Sequence, residues 1–296
     1  MEKGKNMITG INPIALTVIY AVVILLTLSC LLPLINMIAI SFSGSDAVAA
    51  NAVGLIPKDF TLSSYTKLLD DAQFWRSTLI SFERVILGVL INMFMTITMA
   101  YPLSKSKIRF PAREIYMKVI IFAMLFSGGI IPLFMVVSGL HLTNTIWALV
   151  LPGAVPVFNV ILLINFFKGV PSALDEAARI DGANPVKTLV SIYLPISLPA
   201  LATVVLFAIV NHWNDYFSGL LYMSKASMYP LQTYIQQLSV DLTTVTDSER
   251  LKQLSATSTR AFNAAKIVVS TIPLLVIYPF LQKYFVTGMT IGAVKE

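Results

Sequence analysis

Charge is scarce in this sequence: 12% of its 296 residues are charged, against 56% that are hydrophobic. A soluble domain carries about 25% charged residues. Too few remain here to coat a globule in water, and a mean hydropathy of +0.79 makes lipid the solvent for most of the surface. Cysteine occurs once, as Cys30, which excludes a disulfide framework and cysteine-rich zinc spacing. Leu28-Ser29 precedes it where a lipoprotein site wants a small residue, so Cys30 reads as a membrane-buried thiol. The two histidines, His141 and His212, have no metal-ligand spacing near them. Paired carboxylates and a Ser-His-Asp set are missing too, so no catalytic constellation can be argued and none is assigned. There is no G-x-x-x-x-G-K-[ST] phosphate loop, so the chain cannot hydrolyse ATP itself. The net charge is +6, but no basic stripe with interleaved aromatics accompanies it, which sets nucleic acid aside.

What is abundant is apolar length. A span needs about 20 mostly apolar residues to cross roughly 30 Å of hydrocarbon. Six segments qualify: 14–40, 77–101, 115–137, 145–167, 198–221 and 264–285. Backbone amides in lipid must bond within their own segment, so all six are read as helices and the chain as an all-α, multi-pass membrane protein. The first run is too long for a signal-peptide core and lacks an Ala-x-Ala site, so it reads as an uncleaved span. Gly128-Gly129 and Pro132 interrupt the third segment, where a kink is expected. With the N-terminus inside, 12 of the 21 Lys and Arg fall in inner segments and 8 in outer ones, Arg84 lying within a span. The bias predicts both termini in the cytoplasm. The outer loops 41–76 and 222–263 are long, and no repeat or soluble domain is visible, so residues 1–296 read as one membrane domain.

One inner segment, 168–197, breaks the apolar pattern with Glu176-Ala177-Ala178-Arg179-Ile180-Asp181-Gly182-Ala183-Asn184-Pro185. Ser172 with Asp175 resembles a capping box. Asp175 and Glu176 suit the first turn of a helix. Arg179 stands four residues after Asp175, within pairing distance. Gly182 is a helix stop in left-handed backbone, and Asn184-Pro185 opens a second short helix. Pro195 and Pro199 break the path before the fifth span. Spacing alone leaves an interfacial loop helix and a docking element equally open.

Glu176-Ala177-Ala178, then Gly182, then Ile192-x-Leu194-Pro195 resembles the EAA loop of ATP-binding-cassette importer permeases, with each fixed position at the family spacing. The chain is similar to the carbohydrate branch, and to the smaller membrane subunit of maltose transporters, over nearly its whole length. Phe126-Ser127-Gly128-Gly129-Ile130-Ile131-Pro132, His212-Trp213-Asn214 and Tyr229-Pro230-Leu231-Gln232 look like the oligosaccharide group, which includes pectin- and alginate-type cargo. The resemblance implies a type I importer permease fold in a bacterial cell membrane. It implies a coupling helix in which Asp175, Glu176, Ala177, Ala178, Arg179, Asp181, Gly182 and Ala183 meet a cytoplasmic ATPase. The implied partners are a homologous second permease, two ATP-binding subunits that hold ATP and magnesium, and an extracytoplasmic solute-binding protein.

Glu83 and Arg84 lie about 10 Å into the second span at 1.5 Å per residue. His212, Trp213, Asn214, Asp215 and Tyr216 reach a comparable level in the fifth. Charges at such depth face a cavity or a partner, and aromatic faces beside hydrogen-bonding groups suit a sugar ring, so these seven are the candidate substrate pathway. An interfacial aromatic belt is the competing explanation. Asn92 and Asn165 read as helix–helix bonds. A permease for peptides or amino acids is the alternative. A secondary transporter ranks below it, because its mid-span carboxylates are absent.

Overall fold

The structure is a computed structural model that describes residues 13–244 and 259–293, with side chains over 14–237 and 260–279. Among the described residues all regular structure is helical. In chain order the α-helices are α1 (Pro13–Ser41), α2 (Ser45–Ala49), α3 (Ser63–Leu69), α4 (Ala72–Ser104), α5 (Arg113–Leu125), α6 (Ile130–Gly139), α7 (Ile146–Val150) and α8 (Val157–Lys168). They continue as α9 (Ser172–Ile180), α10 (Pro185–Thr188), α11 (Leu194–Ile196), α12 (Leu198–Asn214), α13 (Phe217–Tyr222), α14 (Leu231–Thr244) and α15 (Thr259–Ala293).

Among the described residues three helical stretches, in α1, α4 and α15, are long and apolar enough to cross a bilayer unbroken, and three bent pairs raise this to as many as six where each pair is one span. The bends sit where the backbone rules change. Between α5 and α6 the chain turns by 113°, and Gly129 there has φ of 86°, a value that L side chains rarely adopt. The segment 145–167, expected as one helix, bends by 47° between Ile146–Gly153 and α8. Pro152 and Pro156 cannot donate the amide bonds that would carry α7 through into α8. The run Pro185–Ile196 meets α12 at 84°, with Pro195 and Pro199 on either side of Ser197. The fifth segment also ends early, because α12 stops at Asn214 and α13 restarts at Phe217.

The described residues fall into two compact units. In the one containing residues 13–71 and 259–269, α1 is almost wholly exposed along its apolar stretch. Its end packs Ile40 with Val48, Ala261 and Ala264. Lys266 is buried there, 2.7 Å from the Asp71 carboxylate and 4.1 Å from the Phe262 ring centroid. The termini and residues 245–258 of the long second outer loop lie outside the described residues.

In the other unit, α4 is the central post against which α8 and α12 pack. Its buried residues include Ser77, Ser81, Gly88, Asn92, Thr96 and Ala100. They recur at helical spacing on one face and are small or polar, the composition that lets membrane helices approach and hydrogen-bond. Leu79, Ile86, Leu90 and Phe94 point outward. The main core joins Ala100 and Leu103 to Ile120, Val160, Leu163, Ile164, Phe167, Tyr193, Ala200 and Leu201, at the end of α4 nearest α9.

Candidate functional site

The segment 172–196 folds as its punctuation demands. Gly182 has φ of 73°. Ala183 N–H donates to the Ala178 carbonyl at 2.9 Å, closing the C-terminus of α9. The Asn184 side chain accepts from Lys187 N–H at 2.8 Å and Pro185 stands at the start of α10. A π-helical turn, Leu189–Tyr193, then leads to α11.

Two local expectations are corrected. Ser172 does not cap α9: it lies inside the helix, Pro171 occupies the cap position, and no side-chain cap bond forms. Asp175 turns away from Arg179 and into the protein, where its carboxylate meets Lys105 Nζ at 2.9 Å and the Arg109 guanidinium. A helix packed on one side sends its residues in two directions. Asp175 and Ala178 are buried, whereas Glu176, Ala177, Arg179, Ile180, Asp181 and Gly182 are exposed and Ala183 is intermediate. Ile180, 87% exposed, projects an apolar side chain from the outer face. The Ala177-Ala178 pair therefore offers one small residue outward, not two.

Beneath α9, Lys105 Nζ stands 4.3 Å from the Tyr101 ring centroid and 3.8 Å from that of Tyr193. Tyr101, Tyr193 and Phe167 meet edge-to-face at centroid separations of 5.1–6.4 Å. Burial lowers the Lys105 pKa, against the opposing pull of Tyr101. An open cavity of about 570 Å³ adjoins these groups, lined by Tyr101, Lys105, Arg109, Asp175, Arg179 and Thr188 among others.

The seven residues of the candidate pathway divide. Arg84 is buried, and it pairs with the Asp215 carboxylate, not with its neighbour Glu83. Its Nη1 also donates to the Asp215 carbonyl at 2.7 Å. Ser218 supplies Asp215 with two further bonds, from N–H at 3.1 Å and from Oγ at 2.5 Å. His212 Nε2 lies 3.1 Å from Asn92 Oδ1, and Asn92 donates to the carbonyls of Gly153 and Ala154 at 2.8 and 3.0 Å. The closeness of His212 to α4 requires Gly88, since a Cβ there would overlap the imidazole. Trp213 is buried, donating to the Ser270 carbonyl at 3.1 Å and meeting Phe82 edge-on at 5.3 Å. Arg84, His212, Trp213 and Asp215 thus tie spans of this chain together, though Arg84 Nε and His212 Nδ1 are buried without a hydrogen-bond partner among the described residues. Glu83, Asn214 and Tyr216 remain exposed.

A second cavity, of about 340 Å³, is lined by Asn92, Pro156, Phe158, Asn159, Phe207, Ala208 and Asn211. Asn159 is 5% exposed. The Phe158 and Phe207 rings stand 6.0 Å apart. Amides that both donate and accept, beside aromatic faces, suit a ligand rich in hydroxyls. Sequence reasoning missed Asn159 and Asn211; the available signal was an asparagine inside each apolar run. Of the two asparagines expected to bond helices, Asn92 does so, whereas Asn165 is exposed.

The pattern of the family described as binding-protein-dependent transport system inner membrane component matches residues 47–291. The polygalacturonan/rhamnogalacturonan transport system permease protein of Bacillus subtilis is 38% identical over 278 residues, covering 94% of this chain and 96% of that protein. The trehalose/maltose transport system permease protein of Thermococcus litoralis is 28% identical over 279 residues, covering 92% and 94%. Among solved structures, a chain of a bacterial ABC transporter involved in the import of the acidic polysaccharide alginate superposes with a TM-score of 0.82 at 33% identity, covering 92% of this chain and 96% of that one.

Proposed function

Because the chain belongs to the family of binding-protein-dependent transport system inner membrane components, a family of transport permeases and not of enzymes, we propose that it forms half of the translocation pathway of an ATP-driven oligosaccharide importer. Its cargo is proposed to be polysaccharide-derived and acidic, in line with the relatives named for polygalacturonan/rhamnogalacturonan and alginate. The six spans act as one membrane domain with both termini in the cytoplasm. A homologous permease completes the pathway, a solute-binding protein delivers cargo from outside, and two ATP-binding subunits carry ATP and magnesium below.

The observation that carries the coupling half of this reading is the outer face of α9. Glu176, Ala177, Arg179 and Ile180 stand free of their own chain, ahead of the turn at Gly182. A short helix with a small residue beside an apolar knob and two opposite charges is fit to enter a cleft in the ATPase. Asp181, Gly182 and Ala183 set the turn that holds it out. Glu176→Lys should leave the chain in the membrane but remove the ATPase from the purified complex. ATPase recovered at wild-type yield, with normal uptake, contradicts the assignment.

For cargo, the cavity of Asn159, Asn211, Phe158 and Phe207 is the contact surface in this subunit, with Glu83, Asn214 and Tyr216 exposed as further contacts. Sugar hydroxyls replace water on the amides, and the rings pack against sugar C–H faces. A lost hydrogen bond is worth about 0.5–1.5 kcal/mol, so Asn159→Leu and Asn211→Leu should each weaken uptake of a galacturonic acid trisaccharide about two- to tenfold in an intact complex. Loss of the second permease from either variant would mark the cavity as a subunit interface instead.

A further inference from the structure

Asp175 stands one residue before Glu176, but its side chain points the other way. It is 4% exposed, and each carboxylate oxygen is taken: Oδ1 by Lys105 Nζ at 2.9 Å, Oδ2 by the Arg109 guanidinium. Lys105 is itself packed over Tyr101 and Tyr193. Tyr101 belongs to α4, Tyr193 closes the π-helical turn between α10 and α11, and Phe167, which both rings touch, belongs to α8. A single ammonium therefore joins α9 to α4 and to the path into α12, and Phe167 of α8 packs against both of its rings. Inserted extra turns of the π kind recur at functional sites in helices.

We propose that Asp175, Lys105 and Arg109 form a transmission clasp: positioning residues that carry movement of α9 into α4 without touching the ATPase. The inference rests on the reading of α9 as the coupling helix. Its logic is electrostatic. A buried carboxylate cannot slide away from its cations without being left uncompensated, and breaking such a pair from one side is strongly unfavourable. The two helices must then move together, whereas an apolar contact in the same place could slip. The aromatic faces fix the ammonium from the other side. The adjoining cavity of about 570 Å³ gives the unit room to shift as a body.

The test uses the assembled transporter in its membrane. Cys30→Ser removes the native thiol, and Leu79→Cys places a reporter on α4 at a side chain 70% exposed. Its labelling by a maleimide is compared with and without ATP, magnesium and vanadate. In the otherwise unchanged complex the labelling rate should shift with nucleotide. Asp175→Asn and Lys105→Met should keep the ATPase bound and hydrolysing, yet lose that shift. Asp175→Glu, which keeps the charge, should retain it, and Asp175→Asn with Lys105→Met should be no worse than the worse single variant, as for residues acting as one unit. The clasp is overturned if the shift survives in both single variants, or if Asp175→Asn loses the ATPase as Glu176→Lys does, which would make Asp175 a docking residue. It is overturned too if both variants vanish from the membrane, or if α4 labelling ignores nucleotide in the parent complex. ATPase retention by Glu176→Lys is the separate outcome that defeats the coupling reading itself.

Discussion

At Gly182 the backbone turns with φ of 73° and nothing stands within 4 Å of where a Cβ would be. Conformation, not space, excludes other residues, at about 1–3 kcal/mol for a side chain forced into the left-handed region. Asparagine visits that region routinely and β-branched residues do not. Gly182→Asn should therefore retain the ATPase in co-purification, and Gly182→Val should lose most of it; equal yields from the two would remove the turn from the account. Arg84 poses the opposite case, a residue held by a partner 131 positions away. Removing the guanidinium leaves Asp215 without its cation. Because the Asp215 side chain keeps 25% of its exposure, the cost falls below the 3–5 kcal/mol of a fully buried pair, to about 2–3 kcal/mol. Thermal inactivation in detergent should show Arg84→Ala destabilised, with part of the loss restored on adding Asp215→Ala. The contrast explains what could be read in advance. Gly182, Asn184 and Pro185 obey rules of local backbone and were legible. The partners of Asp175 and Arg84 depend on which helix faces which, and no pattern along the chain encodes that.

Among the elements, the bend between α5 and α6 was legible because Gly128, Gly129 and Pro132 sit together in one apolar run. The bend before α8 was not, although Pro152 and Pro156 were in view, because hydropathy stays high through both helices and length alone counts them as one span. Asn92 is what makes this break tolerable. The broken helix frees the carbonyls of Gly153 and Ala154, and the Asn92 amide donates a hydrogen bond to each. Asn92→Leu would release those two acceptors and strand the buried His212 ring, at about 1–3 kcal/mol for an unsatisfied buried group. Its inactivation temperature in detergent should fall, and more than that of Asn165→Leu, whose side chain is exposed. An equal effect at the two positions would count against the brace.

For the whole molecule, the membrane class and the number of spans followed from apolar length, while the sidedness still rests on where the basic residues fall. Reporter fusions at Lys107 and Lys187 should read cytoplasmic and one at Thr244 extracytoplasmic; a reversed result at Lys187 would remove α9 from the ATPase side. The central claim is that α9 meets the ATPase with one face and its own chain with the other. It is tested most directly by single cysteines in a Cys30→Ser background at Ala177, Ala178 and Ile180, each cross-linked to the ATP-binding subunit in membranes. The account predicts adducts from Ala177→Cys and Ile180→Cys and none from the buried Ala178→Cys. Adducts from Ala178→Cys alone, or from none of the three in a complex that still imports its cargo, would contradict it.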